Sequence, residues 1–152
     1  MTSLKYDEIY SCFLSKITDY KFLSLPEDDA YDLMKDWLRS SIAQPYIRRI
    51  FSSIILNDDV MTISFEVADA VDEYADRDYG VEIIARAMAI EWLEPQVKST
   101  ISIAQMFSGK EVKWYSEANH LKEVKDLLKG MKEELRKMIR DHGYFYRSYT
   151  IE

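Results

Sequence analysis

The stretch SEANHLKEVKDLLKGMKEELRKMIRDH, Ser116 to His142, decides the fold. Within it Leu121, Val124, Leu128, Met131, Leu135 and Met138 recur at steps of three and four. That spacing sets them on one stripe of an α-helix, with Lys, Glu, Asp and Arg on the other faces. Ser116 reads as the N-cap and Gly143 as the stop. A span of about 26 residues reaches roughly 40 Å at 1.5 Å per residue. Charge pairs such as Glu133–Lys137 and Lys122–Asp126 lie one turn apart and support the helix, while Gly130 is its weak point. About three heptads make a short coiled-coil seam, and a second strongly apolar helix in the chain needs a partner. The stripe is therefore expected to pack inside the molecule.

That second helix is marked by Val81, Ile84, Ala85, Met88, Ala89 and Trp92, widened by Ile83, Ala87, Ile90 and Leu93. A helix apolar over so much of its circumference is expected at the centre, covered on more than one side. A polar ramp from Asp69 to Asp78 leads into it. Pro95 is expected to end or kink it near Glu94. Residues 99–107 are able to continue the helix until Ser108-Gly109-Lys110 breaks it.

Upstream, Tyr6, Ile9, Tyr10, Phe13, Leu14 and Ile17 sit at helical spacing, so residues 4–17 read as a first helix capped by Thr2 or Ser3. After a loop over 18–25, Ser24-Leu25-Pro26-Glu27 has the signature of a helix start, with Ser24 as cap. Ala30, Tyr31, Met34, Trp37, Leu38 and Ile42 give this helix a buried face that stops before Pro45. Residues 46–67 change character. Met61, Ile63, Phe65 and Val67 alternate with polar residues, and Asn57-Asp58-Asp59 suits a turn, which predicts a β-hairpin at about 50–67. The expected fold class is mainly α. It is a single helical domain over 1–143, with a long C-terminal helix, a short β-hairpin insertion, and an extended tail at 144–152.

Composition narrows the function. One cysteine, Cys12, excludes an internal disulfide framework and suits a reducing compartment or a non-secreted particle. No apolar run approaches the roughly 18 residues that cross a membrane, and the N-terminus lacks a signal-peptide core. The net charge of −7 argues against a general nucleic-acid coat. The charge is uneven. Residues 1–76 carry 7 Lys/Arg and 15 Asp/Glu, whereas residues 98–147 carry 11 and 7, a division that reads first as ordinary solvated surface and, in a sharper reading, as suited to head-to-tail contact between copies.

Catalytic chemistry is thinly represented. His120 and His142 are the two histidines, and no zinc spacing, nucleophile elbow or Gly-rich nucleotide turn occurs. Cys12 has no neighbouring His to activate it. His142 reads as a residue complementing the helix dipole at a C-terminus. Glu27-Asp28-Asp29 with Asp32 lacks the spacing of a calcium loop and reads as helix-start chemistry. No enzyme activity, cofactor or metal is expected. The candidate contact residues are instead the tail, with Tyr144, Phe145, Tyr146, Arg147, Tyr149 and Ile151, and the pair Arg48-Arg49, which suits a phosphate or a protein carboxylate.

The order of parts resembles the head–tail connector, or neck adaptor, proteins of tailed bacteriophages. Tyr6-Asp7-Glu8-Ile9-Tyr10 with Phe13-Leu14 and Ile17, Pro26 to Ala30, and Trp37-Leu38 are similar to the paired N-terminal helices of that family. Ile90 to Pro95, Met106 to Glu111 and Tyr115-Ser116 are similar to its central part, and Arg140 to Tyr144 with the tail behind it completes the likeness. The resemblance covers most of the chain, and the hairpin is an elaboration on it. It implies a virion protein forming a ring, usually of twelve copies, between capsid and tail. Implied partners are other copies of itself, the portal protein and a stopper or tail-completion protein. Genomic DNA would pass through the ring without sequence-specific contact, and no membrane is involved. The tail would dock on the portal or a neighbour. A different expectation is a small phage-encoded regulatory or inhibitor protein that binds a host protein.

Overall fold

The structure, a computed structural model, describes residues 1–17, 24–106 and 111–150, with side chains described at 1–17, 24–99 and 120–142. Among these residues it is mainly helical, with five helices and one three-stranded sheet. The alternating run becomes β3 (Thr62–Val67), which turns Ile63, Phe65 and Val67 inward and leaves Thr62, Ser64 and Glu66 outward. Its hairpin partner β2 (Phe51–Asn57) pairs antiparallel, with an irregularity between Phe51 and Ser53. Met61, expected in the strand, sits instead in the connecting turn at φ 54°, a left-handed conformation uncommon for a residue with a side chain.

A third strand corrects the reading of the N-terminus. Residues 4 and 5 belong to β1 (Thr2–Lys5), which pairs with β3 in the register Thr2↔Phe65 to Lys5↔Thr62. β3 is therefore central, in the order β1-β3-β2. Four residues with a single inward apolar side chain, Leu4, carry no period of their own; their conformation comes from the strand beside them. Helix α1 (Tyr6–Leu14) follows directly, burying Tyr6, Ile9, Tyr10 and Phe13.

Helix α2 (Glu27–Ala43) begins directly after Pro26, which occupies the N-cap position expected for Ser24. It buries Met34, Leu38 and Ile42 as expected, and Ser41 Oγ donates to the Leu38 carbonyl at 2.8 Å. A short helix absent from the sequence reading, α3 (Pro45–Arg48), starts with the proline at its first position, where the missing N–H costs nothing.

Helix α4 (Glu73–Met106) is the centre of the molecule. It packs against α1, α2, β3 and the final helix, and buries Ile83, Ile84, Ala85, Ala87, Met88, Ala89, Ile90 and Leu93. Asp72 Oδ1 accepts from the backbone N–H of Ala75 at 2.8 Å and so starts the helix within the polar ramp. Pro95 does not end it. Buried Leu93 and Val97 hold the turn from both sides, and Gln96 Nε2 donates to the Trp92 carbonyl at 3.2 Å. Packing thus offsets an interior proline that costs about 3 kcal/mol in an exposed helix.

Helix α5 runs from Glu111 to Thr150. Ser116 accordingly lies inside it rather than at its cap. Gly143 does not stop it, since an interior glycine costs only about 1 kcal/mol relative to alanine. The extended tail is corrected as far as Thr150, where the backbone is helical; residues 151–152 lie outside the described residues, as do the expected loop at 18–23 and the break at 107–110. The predicted stripe faces α4. Leu135 is fully buried, and Leu128, Met131 and Met138 pack half-buried against the core.

Candidate partner-binding surfaces

The arginine pair expected to act together is split between two depressions. Arg48 Nη1 donates to the Phe51 carbonyl at 2.9 Å, fastening the end of α3 to the start of β2. Its side chain lines a groove of about 270 Å³ with Arg39, Ile42, Ala43, Ile54 and Leu56. Arg49 lines a different depression, of about 290 Å³, with Tyr46, Ile50, Asp69, Tyr79 and His142. The two guanidinium groups therefore do not make one phosphate clamp. Of the tail candidates, Tyr144, Phe145, Tyr146, Arg147 and Tyr149 lie on the last turns of α5, with side chains outside the described residues, and Ile151 lies outside them altogether.

His142 is not at a helix end. Its ring stacks on Tyr79 with centroids 3.9 Å apart and planes 11° from parallel, and Nε2 lies 2.9 Å from the Asp69 carbonyl. The contact ties α5 to the entry of α4. Burial, aided by the charge of Asp69, pushes the Tyr79 hydroxyl up to about 12.

One charge feature among the described residues emerges only on the helical wheel. Lys122, Lys125, Lys129, Lys132, Arg136 and Arg140 are interleaved with acids along the chain. At about 100° per residue, however, all six fall within roughly 80° of arc on α5, while Glu123, Asp126, Glu133, Glu134 and Asp141 fall on the next sector, with Lys137 among them. The basic row is exposed except at Lys132, which is half-buried and pairs with Glu94 at 2.7 Å. On α2, Asp28, Asp29, Asp32 and Asp36 form an exposed acidic row by the same geometry, with Arg39, held by Asp58, on the same sector toward the end of the helix. Among the described residues neither row pairs with the other. The signal was available as a three-and-four spacing of charges, the same spacing that revealed the apolar stripe.

Two polar clusters hold the elements in place. Asp58, in the hairpin turn, accepts from the Tyr6 hydroxyl at 2.7 Å and from Arg39 Nε at 2.9 Å, joining α1, α2 and the hairpin. The Tyr6 hydrogen bond, opposed by burial and aided by Arg39, holds the Asp58 carboxyl below its ordinary range. Between α1 and α4, Glu82 accepts from Lys16 at 2.7 Å and Arg86 at 2.8 Å, with Cys12 Sγ at 3.4 Å; Arg86 reaches on to Glu134 of α5 at 3.2 Å. Burial opposes ionisation of Glu82, but its hydrogen bonds from Lys16, Cys12 and Arg86 outweigh that and hold it below 4.5. Burial and the Glu82 contact push the Cys12 thiol up, which disfavours the thiolate a nucleophile needs.

A pH dependence follows. A carboxylate depressed in the folded state contributes stability above its unfolded value, and that contribution is lost as pH falls through the folded value. The contribution of Glu82 and Asp58 to urea stability is therefore expected to be level from pH 7 to about 5 and to fall below about 4.5 as the two carboxylates protonate. Glu82→Gln is expected to lower the urea midpoint at pH 7 and to flatten the acid limb. An unchanged limb in this variant would assign the acid sensitivity elsewhere.

A cleft of about 420 Å³ lies between the end of α1, α4 and α5, lined by Ile17, Ala89, Trp92, Leu127 and Met131 with Lys16, Arg86 and Glu134. Lys16, Arg86 and Glu134 are held in the Glu82 network. Among the described residues no group of three or more His, Cys, Asp or Glu side chains is placed to hold a metal ion, and no helix is long and apolar enough to cross a membrane. No protein-family model matches the chain, and no curated protein or solved structure matches it significantly.

Proposed function

We propose that the chain is a structural connector of the neck of a tailed-phage particle, a non-catalytic protein that assembles as a ring beneath the portal, extends the DNA channel and gives the stopper or tail a docking site. The observation that carries this reading is the separation of surface charge into a basic row on α5 and an acidic row on α2. A protomer with two unlike, complementary faces joins head to tail, and such contacts generate rings when the rotation closes. The resemblance of the N-terminal helices, the central segment and the Arg140 to Tyr144 region supports the same class. In this reading the acidic surfaces that remain exposed in the ring keep DNA from adhering to the channel wall.

The last turns of α5 are the proposed portal-facing element, with Tyr144, Tyr146 and Tyr149 as anchors, because aromatic side chains dominate interface energetics. Removing residues 144–152 is expected to leave the protomer folded and to abolish its co-sedimentation with purified portal rings. Undiminished co-sedimentation would remove the tail from the account. Recovery in a stable complex with a host protein, together with absence from purified particles, would favour the regulatory reading instead.

A further inference from the structure

We infer that the contact between neighbouring copies is made by the basic row of α5 on one protomer against the acidic row of α2 on the next, with an exposed leucine seated beside the charges. This rests on the ring reading and names the faces that meet in it. The basic row extends about 27 Å along α5 from Lys122 to Arg140. Its middle is a shallow groove of about 270 Å³ lined by Leu128 with Lys125, Lys129, Lys132 and Arg136, and by Glu133.

The opposing face has the matching features. Asp32 and Asp36 stand four residues apart, the spacing of Lys129 and Lys125 read in the opposite direction, so antiparallel helices bring these two pairs into register; Lys132, opposite Asp29, is already held by Glu94. Leu33, 37% exposed, stands beside the acidic row and is of a size to enter the groove over Leu128. Charge alone would admit nucleic acid to the basic row. The second copy is favoured because the same chain carries an acidic row of the same period with an apolar side chain beside it, and because its net charge is −7.

The test uses two full-length charge-reversal variants. One carries Lys125→Glu, Lys129→Glu and Arg136→Glu; the other carries Asp29→Lys, Asp32→Lys and Asp36→Lys. All six positions are exposed, so the α5 variant is expected to melt close to the wild type by circular dichroism. The α2 variant is expected to melt somewhat lower but to stay folded, because Asp29 lies in the first turn of α2, where the helix dipole favours negative charge. In sedimentation velocity at low salt, the wild type is expected to assemble. Each variant alone is expected to remain protomeric, with self-association weakened about 100-fold or more. An equimolar mixture is expected to assemble again, because every contact then joins opposite charges. Wild-type assembly that persists unchanged in either variant overturns the assignment of faces and leaves the ring reading standing. A wild type that stays protomeric at every concentration overturns both. A basic-row variant that assembles normally but loses binding to a double-stranded DNA probe assigns the row to nucleic acid and overturns the inference.

Discussion

Phe65→Ala is expected to lower the free energy of unfolding by about 3–5 kcal/mol, the range found for emptying a well-packed aromatic site. Phe65 is fully buried on the central strand, its ring edge-on to Phe51 with centroids 5.2 Å apart at 67°. The ring lies over Gly80 of α4, where a Cβ would come within 2.4 Å of it. The glycine is thus the gap that lets the sheet close onto the central helix. Gly80→Ala tests the same contact from the other side: the gain of about 1 kcal/mol in helix propensity is outweighed by overpacking of about 1–3 kcal/mol. At Gly130, where a Cβ meets nothing within 4 Å, the same substitution has no such clash to overcome. Urea denaturation of the two glycine variants is expected to give opposite signs. Equal shifts would mean that Phe65 does not rest on Gly80.

Leu135→Ala is expected to cost about 2–5 kcal/mol. Leu135 is 1% exposed and is the only described residue of α5 that is fully buried. Over 120–142, the described side chains of α5, the helix is otherwise tied down by half-buried side chains, the Arg86–Glu134 and Lys132–Glu94 pairs and the Tyr79–His142 stack. Ion pairs that stay in contact with solvent contribute little each, so the leucine dominates. Hydrogen exchange is expected to quicken along α5 in the variant while β3 and α1 keep their protection. Leu127→Ala, at a position 54% exposed, is the control and is expected to change stability by less than about 0.5 kcal/mol. Uniform loss of protection across the molecule would show that α5 unfolds with the core rather than from it.

Much of the fold was legible because its signals are local. The stripe of α5, the all-round apolar surface of α4 and the alternation of β3 each read as a period over a few turns or residues, and each packs as that period dictates. What was not legible is set by distant partners. Thr2 to Lys5 form a strand because β3 lies beside them, and Pro95 stays within α4 because buried Leu93 and Val97 hold its turn. Ser116 and Gly143 looked like helix boundaries by local chemistry, yet α5 passes through both. For the candidate surfaces, the linear sequence gave a charge difference between halves of the chain but obscured the two rows, since residues adjacent in sequence point to different sides of a helix. Arg48 and Arg49, adjacent in the chain, serve different grooves for the same kind of reason.

Native mass spectrometry of the purified full-length protein addresses the central claim most directly by counting copies. The account predicts a closed assembly at a whole-number multiple of 17.9 kDa, with twelve copies as the expected number, that dissociates as ionic strength rises. A single 17.9 kDa species across the concentration range at low salt would contradict it.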